Sequence, residues 1–291
     1  MAKQSNLGGQ AVMEGVMIQS PTRICMAVRR KDGSITKTAV PASTFAQRHR
    51  WAKWPVVRGL VNLCVQLKAG YSMLNKSADY LMIDEGEEEQ EGGSGWLATL
   101  SLLVAVVLAL GLFFLLPSLL AGWMLPAGSA WFNITEGVLR LLIFALYMAG
   151  IGLWKDMKRI FMYHGAEHRV LHCIEHGLAP TPENSKKFPV VHPRCGTSYL
   201  FLVMVVSILV FSLLGQSPVL WQRLALRVAL IPLVAGLSYE VLKFAARLKG
   251  WGAKLLQAPG LWMQRLSTRV PTDDMIEVAA AAYQEAARDE A

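Results

Sequence analysis

Hydrophobic positions along the 291-residue chain gather into four long blocks separated by polar segments. Between Trp96 and Thr135 no residue is charged, and the stretch LATLSLLVAVVLALGLFFLLPSLLAGW within it exceeds the roughly 20 apolar residues that cross a bilayer as a helix. Further blocks at about Gly137–Trp154, Ser198–Gly215 and Trp221–Leu242 predict three more spanning helices, the last interrupted by Arg227. Before the first block the pattern changes. Ile24–Arg30 and Ile35–Val40 flank Lys31-Asp32-Gly33-Ser34, whose Asp-Gly pair signals a β-hairpin. From Trp54 to about Met82 the apolar residues Val57, Leu60, Val61, Cys64, Leu67 and Tyr71 recur at three- and four-residue steps, which predicts an amphipathic helix packed on the hairpin or lying on a membrane surface.

The expected fold class is therefore mainly α, a polytopic membrane protein of four helices with a small N-terminal α+β region and a C-terminal helix. Residues 1–82 form the N-terminal region and the acidic, glycine-rich 83–95 a flexible linker. The four-span domain covers 96–245, with a histidine-rich loop at 155–197, and 246–291 holds interfacial helices. Thr272 is the expected cap of the last helix, with Asp273 and Asp274 in its first turn, where the helix dipole favours acids.

Composition agrees with an apolar solvent: 53% of residues are hydrophobic, and 17% are charged against about 25% in soluble domains. The net charge of +8 accompanies no RNA-binding motif and no interleaving of aromatic with basic residues, so nucleic acid is not an expected partner. The basic residues instead sort by segment. Twelve Lys and Arg precede the first span, 7 lie between the second and third, and 7 follow the fourth, leaving Arg140, Arg223 and Arg227 to snorkel from helix ends on the opposite side. The positive-inside rule then places both termini and the 155–197 loop in the cytoplasm. The polar start, MAKQSNLGGQAVMEG, lacks the apolar core of a signal peptide, so the first span is expected to direct insertion. The scattered Cys25, Cys64, Cys173 and Cys195 do not suggest a disulfide framework, and the first three read as packing residues.

Five of the six histidines lie between 164 and 192. His164, His168, His172 and His176 are spaced four apart, so on a helix each turns by only about 40° from the last and neighbours can share a ligand. His164-x-x-Glu167-His168 has the H-x-x-E-H form, in which two imidazoles hold a metal and the carboxylate serves the activated water. Helical H-x-x-x-H pairs often occur without metal, but the H-x-x-C pair His192 and Cys195 on the return segment shifts the balance. Thiolate with imidazole and carboxylate suits zinc first and iron second, and argues against magnesium or calcium. Eleven residues of straight helix place Glu175 about 16 Å from His164. Either the helix ends early, or there are two ion sites, or His172 and His176 are surface residues. The expected metal residues are His164, His168, Glu175, His192 and Cys195, around a core pair of His164 and His168, with Glu167 as proton acceptor. Arg194 would meet an anionic lipid or substrate, or more simply a headgroup or salt bridge. Glu240 is a distant third ligand in the functional reading and a partner of Lys243 in the plain one. Glu14, in GGQAVMEGVM, could reach a site, although its glycines read more simply as turns.

Those segments, GGQAVMEGVM, YHGAEH, HPRCGTSYLF, GLSYEVLKFAARL and PGLWMQRLSTRVPTDDMIEVA, resemble the bacterial YqhQ family of predicted metal-dependent membrane proteins, over nearly the whole chain. The resemblance implies roles for His164, Glu167, His168, Glu175, His192, Arg194, Cys195 and Gly196; His172, Cys173 and His176 lie outside its pattern. It brings no substrate. The first functional reading is a cytoplasm-facing, zinc-type hydrolase acting on a membrane-embedded or lipid-linked substrate. The second is a scaffold or assembly factor whose metal ties helix to loop, and a third is haem or metal-ion handling by the histidine row. Topology is testable directly: reporter fusions after Val40, Lys187 and Arg269 should report cytoplasm and one after Ser129 the outside, whereas an external signal at Lys187 would overturn the orientation.

Overall fold

A computed structural model of the protein describes residues 7–43, 45–86, 95–126, 129, 131–193, 195–213, 219–245 and 250–288. The chain is mainly helical, with one four-stranded antiparallel sheet at its start. Strands β1 (Gly8–Val12), β2 (Gly15–Gln19), β3 (Arg23–Arg29) and β4 (Ile35–Pro41) pair in sequence order. The Asp-Gly turn joins β3 to β4 as its sequence requires, with Gly33 at φ 86° and the Asp32 Oδ1 accepting the Ser34 amide at 2.8 Å. At the other hairpin Glu14 takes the left-handed conformation, φ 51°, that usually falls to Gly or Asn. Its carboxylate is held by Arg159, and the Tyr163 hydroxyl donates to it at 3.3 Å.

Helices follow: α1 (Phe45–Arg48), α2 (Val57–Glu85), α3 (Gly95–Leu110), α4 (Leu116–Met124), α5 (Phe132–Ile151), α6 (Lys155–Glu175), α7 (Pro182–Ser185), α8 (Gly196–Leu213), α9 (Leu220–Ala229), α10 (Ile231–Ala245), α11 (Trp251–Ser267) and α12 (Asp273–Ala287). Both faces of the sheet are covered. One packs Val16, Ile18, Cys25 and Ala27 against Tyr163, Ala166 and Val170 of α6 and the alanine-rich face of α12. The other packs Val12, Met17, Met26 and Val28 against Ala69 and Met73 of α2. Strands buried on both faces lose the alternating pattern, which explains why GVMIQ gives no alternation in sequence.

Helix α2 runs through Glu85 to a left-handed Gly86 cap, taking in the first three residues of the expected linker; residues 87–94 lie outside the described set. Its buried face keeps Val61 of the expected row but otherwise differs: Leu67 and Tyr71 are exposed, whereas Gly59, Ala69, Gly70, Met73 and Ser77 are buried. Small residues win because the neighbours come close; a Cβ on Gly70 would stand 2.3 Å from the Gln10 side chain. At the start of α2, Val56 holds a left-handed φ of 69°, rare for a β-branched residue, while its amide donates to Glu240 of α10 at 3.2 Å. Arg58 Nε donates to the same carboxylate at 2.7 Å. Arg58, and not Lys243, is the ion-pair partner of Glu240, which belongs to neither group of possible metal ligands among the described residues.

Among the described residues, three helices are long and apolar enough to cross a membrane: Thr99–Met124, Phe132–Ile151 and Gly196–Leu213, with mean hydropathies of 2.8, 1.7 and 2.2. The pair α9 and α10 passes the same test together, bent by 47° after Ala229, where the expected fourth span is interrupted. The first contains a π-helical turn at Gly111–Leu115. Arg140 Nε of α5 donates to the Phe113 carbonyl in that turn at 2.8 Å, so the widened turn serves a polar side chain. Arg140, Arg223 and Arg227 do not snorkel outward as expected: all three are buried, and Arg140 and Arg227 converge on Glu136.

Candidate metal centre

The break at Gly152–Trp154 between α5 and α6 frees α6 from the direction of the preceding span. Helix α6 carries two faces: Phe161, Tyr163, Ala166, Val170 and Leu171 go into the core, and the histidines face the return segment and the end of α11. Two glycines allow the close packing this demands. A Cβ on Gly165 would lie 2.0 Å from the Arg269 carbonyl oxygen, and one on Gly9 of β1 would lie 2.2 Å from Glu167 Oε1. Gly9 thus serves close approach to α6, where turn formation alone was expected.

Each of the first three histidines on α6 commits one ring nitrogen to a backbone carbonyl. His164 Nδ1 donates to Ser267 at 2.8 Å, His168 Nδ1 to Val190 at 2.6 Å, and His172 Nε2 to Val191 at 2.9 Å. A carbonyl only accepts, so each bond fixes the tautomer and turns the other nitrogen into a lone-pair donor, the arrangement that supports metal-bound imidazoles. The loop is itself clamped. Gln264 of α11 accepts the His192 amide and donates to the His192 carbonyl, both at 2.8 Å, and also donates to Ser198 Oγ at 2.7 Å.

Two groups of ligand atoms result, and within each all atoms lie within 4.8 Å of one another. One is His164, His168 and Cys195; the other is His172, Glu175 and His192. In the first, His164 Nε2 is 3.1 Å from Cys195 Sγ, which also receives the Thr197 amide at 3.4 Å. In the second, His192 Nε2 is 3.2 Å from Glu175 Oε1. Imidazole rings bridge the two: centroids are 4.4 Å apart for His164 and His168, 5.7 Å for His168 and His192, and 4.7 Å for His172 and His192.

Glu167 sits beside the first group, with Oε2 3.4 Å from His168 Nε2 and the side chain almost fully buried. Because His168 already donates through Nδ1, its Nε2 presents a lone pair to a carboxylate oxygen. Two such atoms need a proton or a cation between them. Burial raises the Glu167 pKa to about 8; His164 opposes the rise and Cys195 adds to it. Burial lowers His168 well below the ordinary imidazole range and His192 to about 4, keeping both in the neutral form that binds metal. The Cys195 thiol is pushed up by burial, so its thiolate requires a neighbouring cation. The residues fit a soft divalent ion of the zinc type: thiol and two imidazoles with fixed donor atoms, and a buried carboxylate lacking a counter-charge.

The structure thus brings together His164, His168, Cys195 and Glu167, and places Glu175 with His192 instead of with the core pair. It returns His172, set aside in the sequence as a surface residue, to the second group. His176 is exposed, with Nδ1 bonded to the His172 carbonyl at 2.8 Å. Arg194 lies outside the described residues, and Glu14 is engaged by Arg159. Gln264 and Ser267 were not recognised as supports, although both fall in the PGLWMQRLSTRV segment.

The family described as "Protein of unknown function (DUF1385)" matches residues 54–289, a range that includes every residue of both groups. The chain is also similar to the uncharacterized protein YqhQ of Bacillus subtilis (strain 168), 36% identical over 297 aligned positions that cover 98% of this chain and 93% of that protein. No solved structure matches. Elemental analysis of the full chain checks the ligand assignment: His168→Ala and Cys195→Ala should each weaken zinc retention at least tenfold, and His176→Ala should not. Full occupancy in both of the first two variants would sink the assignment.

Proposed function

The chain belongs to the DUF1385 family of proteins of unknown function, and we propose that it is a metal-dependent membrane enzyme, a hydrolase of a membrane-embedded or lipid-linked substrate. Four spans with both termini in the cytoplasm, the bent α9–α10 pair being the fourth, carry the site on the cytoplasmic side of a bacterial cell membrane. The sorting of 26 of 29 Lys and Arg to one side supports that orientation. The observation that carries the chemical reading is the buried Glu167 carboxylate facing the His168 lone pair next to His164 and Cys195.

His164, His168 and Cys195 hold the ion, and the carbonyls of Ser267 and Val190 keep the two imidazoles in the required tautomer. When bound, a zinc-type ion supplies a Lewis acid that polarises an acyl or phosphoryl oxygen and acidifies water. Glu167 Oε2 accepts the proton of the attacking water and returns it to the leaving group. A proton affinity raised by burial toward the neutral range suits that exchange, because general bases work best with a pKa near the working pH. Cys195 lies immediately before α8, one of the candidate spans, which suits a substrate presented from the bilayer.

A second reading rests on the same carboxylate. With Glu167 as a fourth ligand the site closes, and the protein becomes a scaffold whose metal ties α6 to the return loop. Glu167→Gln separates the two, since it keeps size and polarity but cannot accept the proton. The enzyme reading expects retained metal, an unchanged melting temperature and a loss of function by roughly 10² to 10⁴, read as failed complementation of a deletion phenotype. Loss of metal and stability together indicates a ligand role, and full complementation with metal retained removes the catalytic assignment.

A further inference from the structure

At the other end of α5 lies a second polar cluster that the metal centre does not use. Glu136 is 15 residues from Ile151, about 22 Å of helix rise away from the α6 end. It is 1% exposed and joins Arg140 and Arg227, each 4% exposed. Arg140 is fully engaged: Nη2 donates to Glu136 Oε1 at 2.8 Å, Nη1 to Ser207 Oγ at 3.1 Å, and Nε to the Phe113 carbonyl. Arg227 donates to Glu136 and, at 3.1 Å, to Asn133 Oδ1. Arg223, one turn earlier on α9 and 8% exposed, lays its guanidinium 4.5 Å from the Phe132 ring centroid. Its Nε and Nη1 are buried without a hydrogen-bond partner.

Residues 96–154 and 196–245 contain two acids, Glu136 and Glu240, and Glu240 belongs to Arg58. Three guanidiniums therefore face one carboxylate, and two positive charges have no counter-charge from the spanning segments. Uncompensated cations among apolar helices are expensive, and in spans they mark sites for anions or partner charges. Three exposed tryptophans sit at the same end, Trp123 at the close of α4, Trp131 just before α5 and Trp221 in the first turn of α9, 88%, 66% and 68% exposed. Tryptophan gathers at the headgroup level of a bilayer, so this end of the bundle stands where phosphates are.

We propose that Arg223, backed by Arg227 and Arg140, binds a phosphate group at this end of the spans, supplied by an anionic lipid headgroup. Guanidinium presents paired N–H donors that match phosphate oxygens, and the excess of two charges suits a phosphomonoester or a diester phosphate. The site is independent of the metal centre.

The test uses the full chain in phosphatidylcholine nanodiscs, comparing added phosphatidic acid or phosphatidylglycerol with added inorganic phosphate by native mass spectrometry and melting temperature. Wild type should retain the anionic lipid and melt several degrees higher with it, and Arg223→Gln should bind it at least tenfold more weakly while melting normally in phosphatidylcholine. If Arg223→Gln fails to fold, Arg223→Lys, which keeps the charge but loses the paired donors, should show the same weakening. Stabilisation by inorganic phosphate, lost in the variant, supports the same anion site with a soluble source. Absence of any response to either phosphate source, or equal binding by the variants, would overturn the proposal.

Discussion

Helix α6 must satisfy two neighbours at once, and that constraint organises the rest of the protein. Its apolar face completes the core beneath the N-terminal sheet and α12, while its imidazole face has to meet the 186–195 loop and the end of α11. A period of 3.6 residues lets one helix do both, because His164, His168 and His172 drift slowly around the axis while Tyr163, Ala166 and Val170 stay opposite. The partners then come close enough that Gly9 and Gly165 have no room for a side chain. The β1 strand and the Arg269 backbone both pack directly on this helix.

A buried polar row is costly unless its atoms are paired. Here backbone carbonyls do much of the pairing, Val190 and Val191 of the return loop and Ser267 at the end of α11 each taking one imidazole nitrogen and leaving the others directed at Cys195, Glu167 and the Glu175–His192 pair. The result is a cluster that is rigid on its protein side and electron-rich on its inner side. Its burial disfavours protonated imidazole and ionised thiol alike; neutral imidazoles are the form that ligates a divalent cation, and such a cation would offset the cost of the thiolate. The arginine cluster at the far end of α5 poses the opposite problem, an excess of positive charge with one carboxylate to meet it. The two clusters thus differ in electrostatic character, one rich in lone pairs and the other in guanidinium charge.

Much of this was legible in the sequence, for reasons that can be named. The Asp-Gly hairpin and the long uncharged blocks are local patterns that led to the hairpin and to the apolar helices, and the four-residue histidine spacing and the His192 to Cys195 pair pointed to side chains that the fold brings near one another. What was missed depends on contacts distant in sequence. His172 was set aside because a straight helix alone does not reveal that the loop returns along it to bring His192 alongside. Glu240 was read with the nearby Lys243, whereas its partner Arg58 is 182 residues away. Glu136 is a single acid in an apolar run, and only the approach of α9 shows that Arg227 turns inward to it. Strand β1 contains Gly9, whose use is close packing against Glu167, a purpose no turn or strand propensity encodes.

The central claim is that one sulfur and two imidazoles of this chain bind a common metal ion beside Glu167. X-ray absorption at the zinc edge of the metal-loaded full chain tests it most directly. A first shell with one sulfur scatterer at about 2.3 Å and nitrogen or oxygen scatterers at about 2.0 to 2.1 Å is expected. A shell of light atoms alone, or a chain that retains no metal after desalting, would contradict the account.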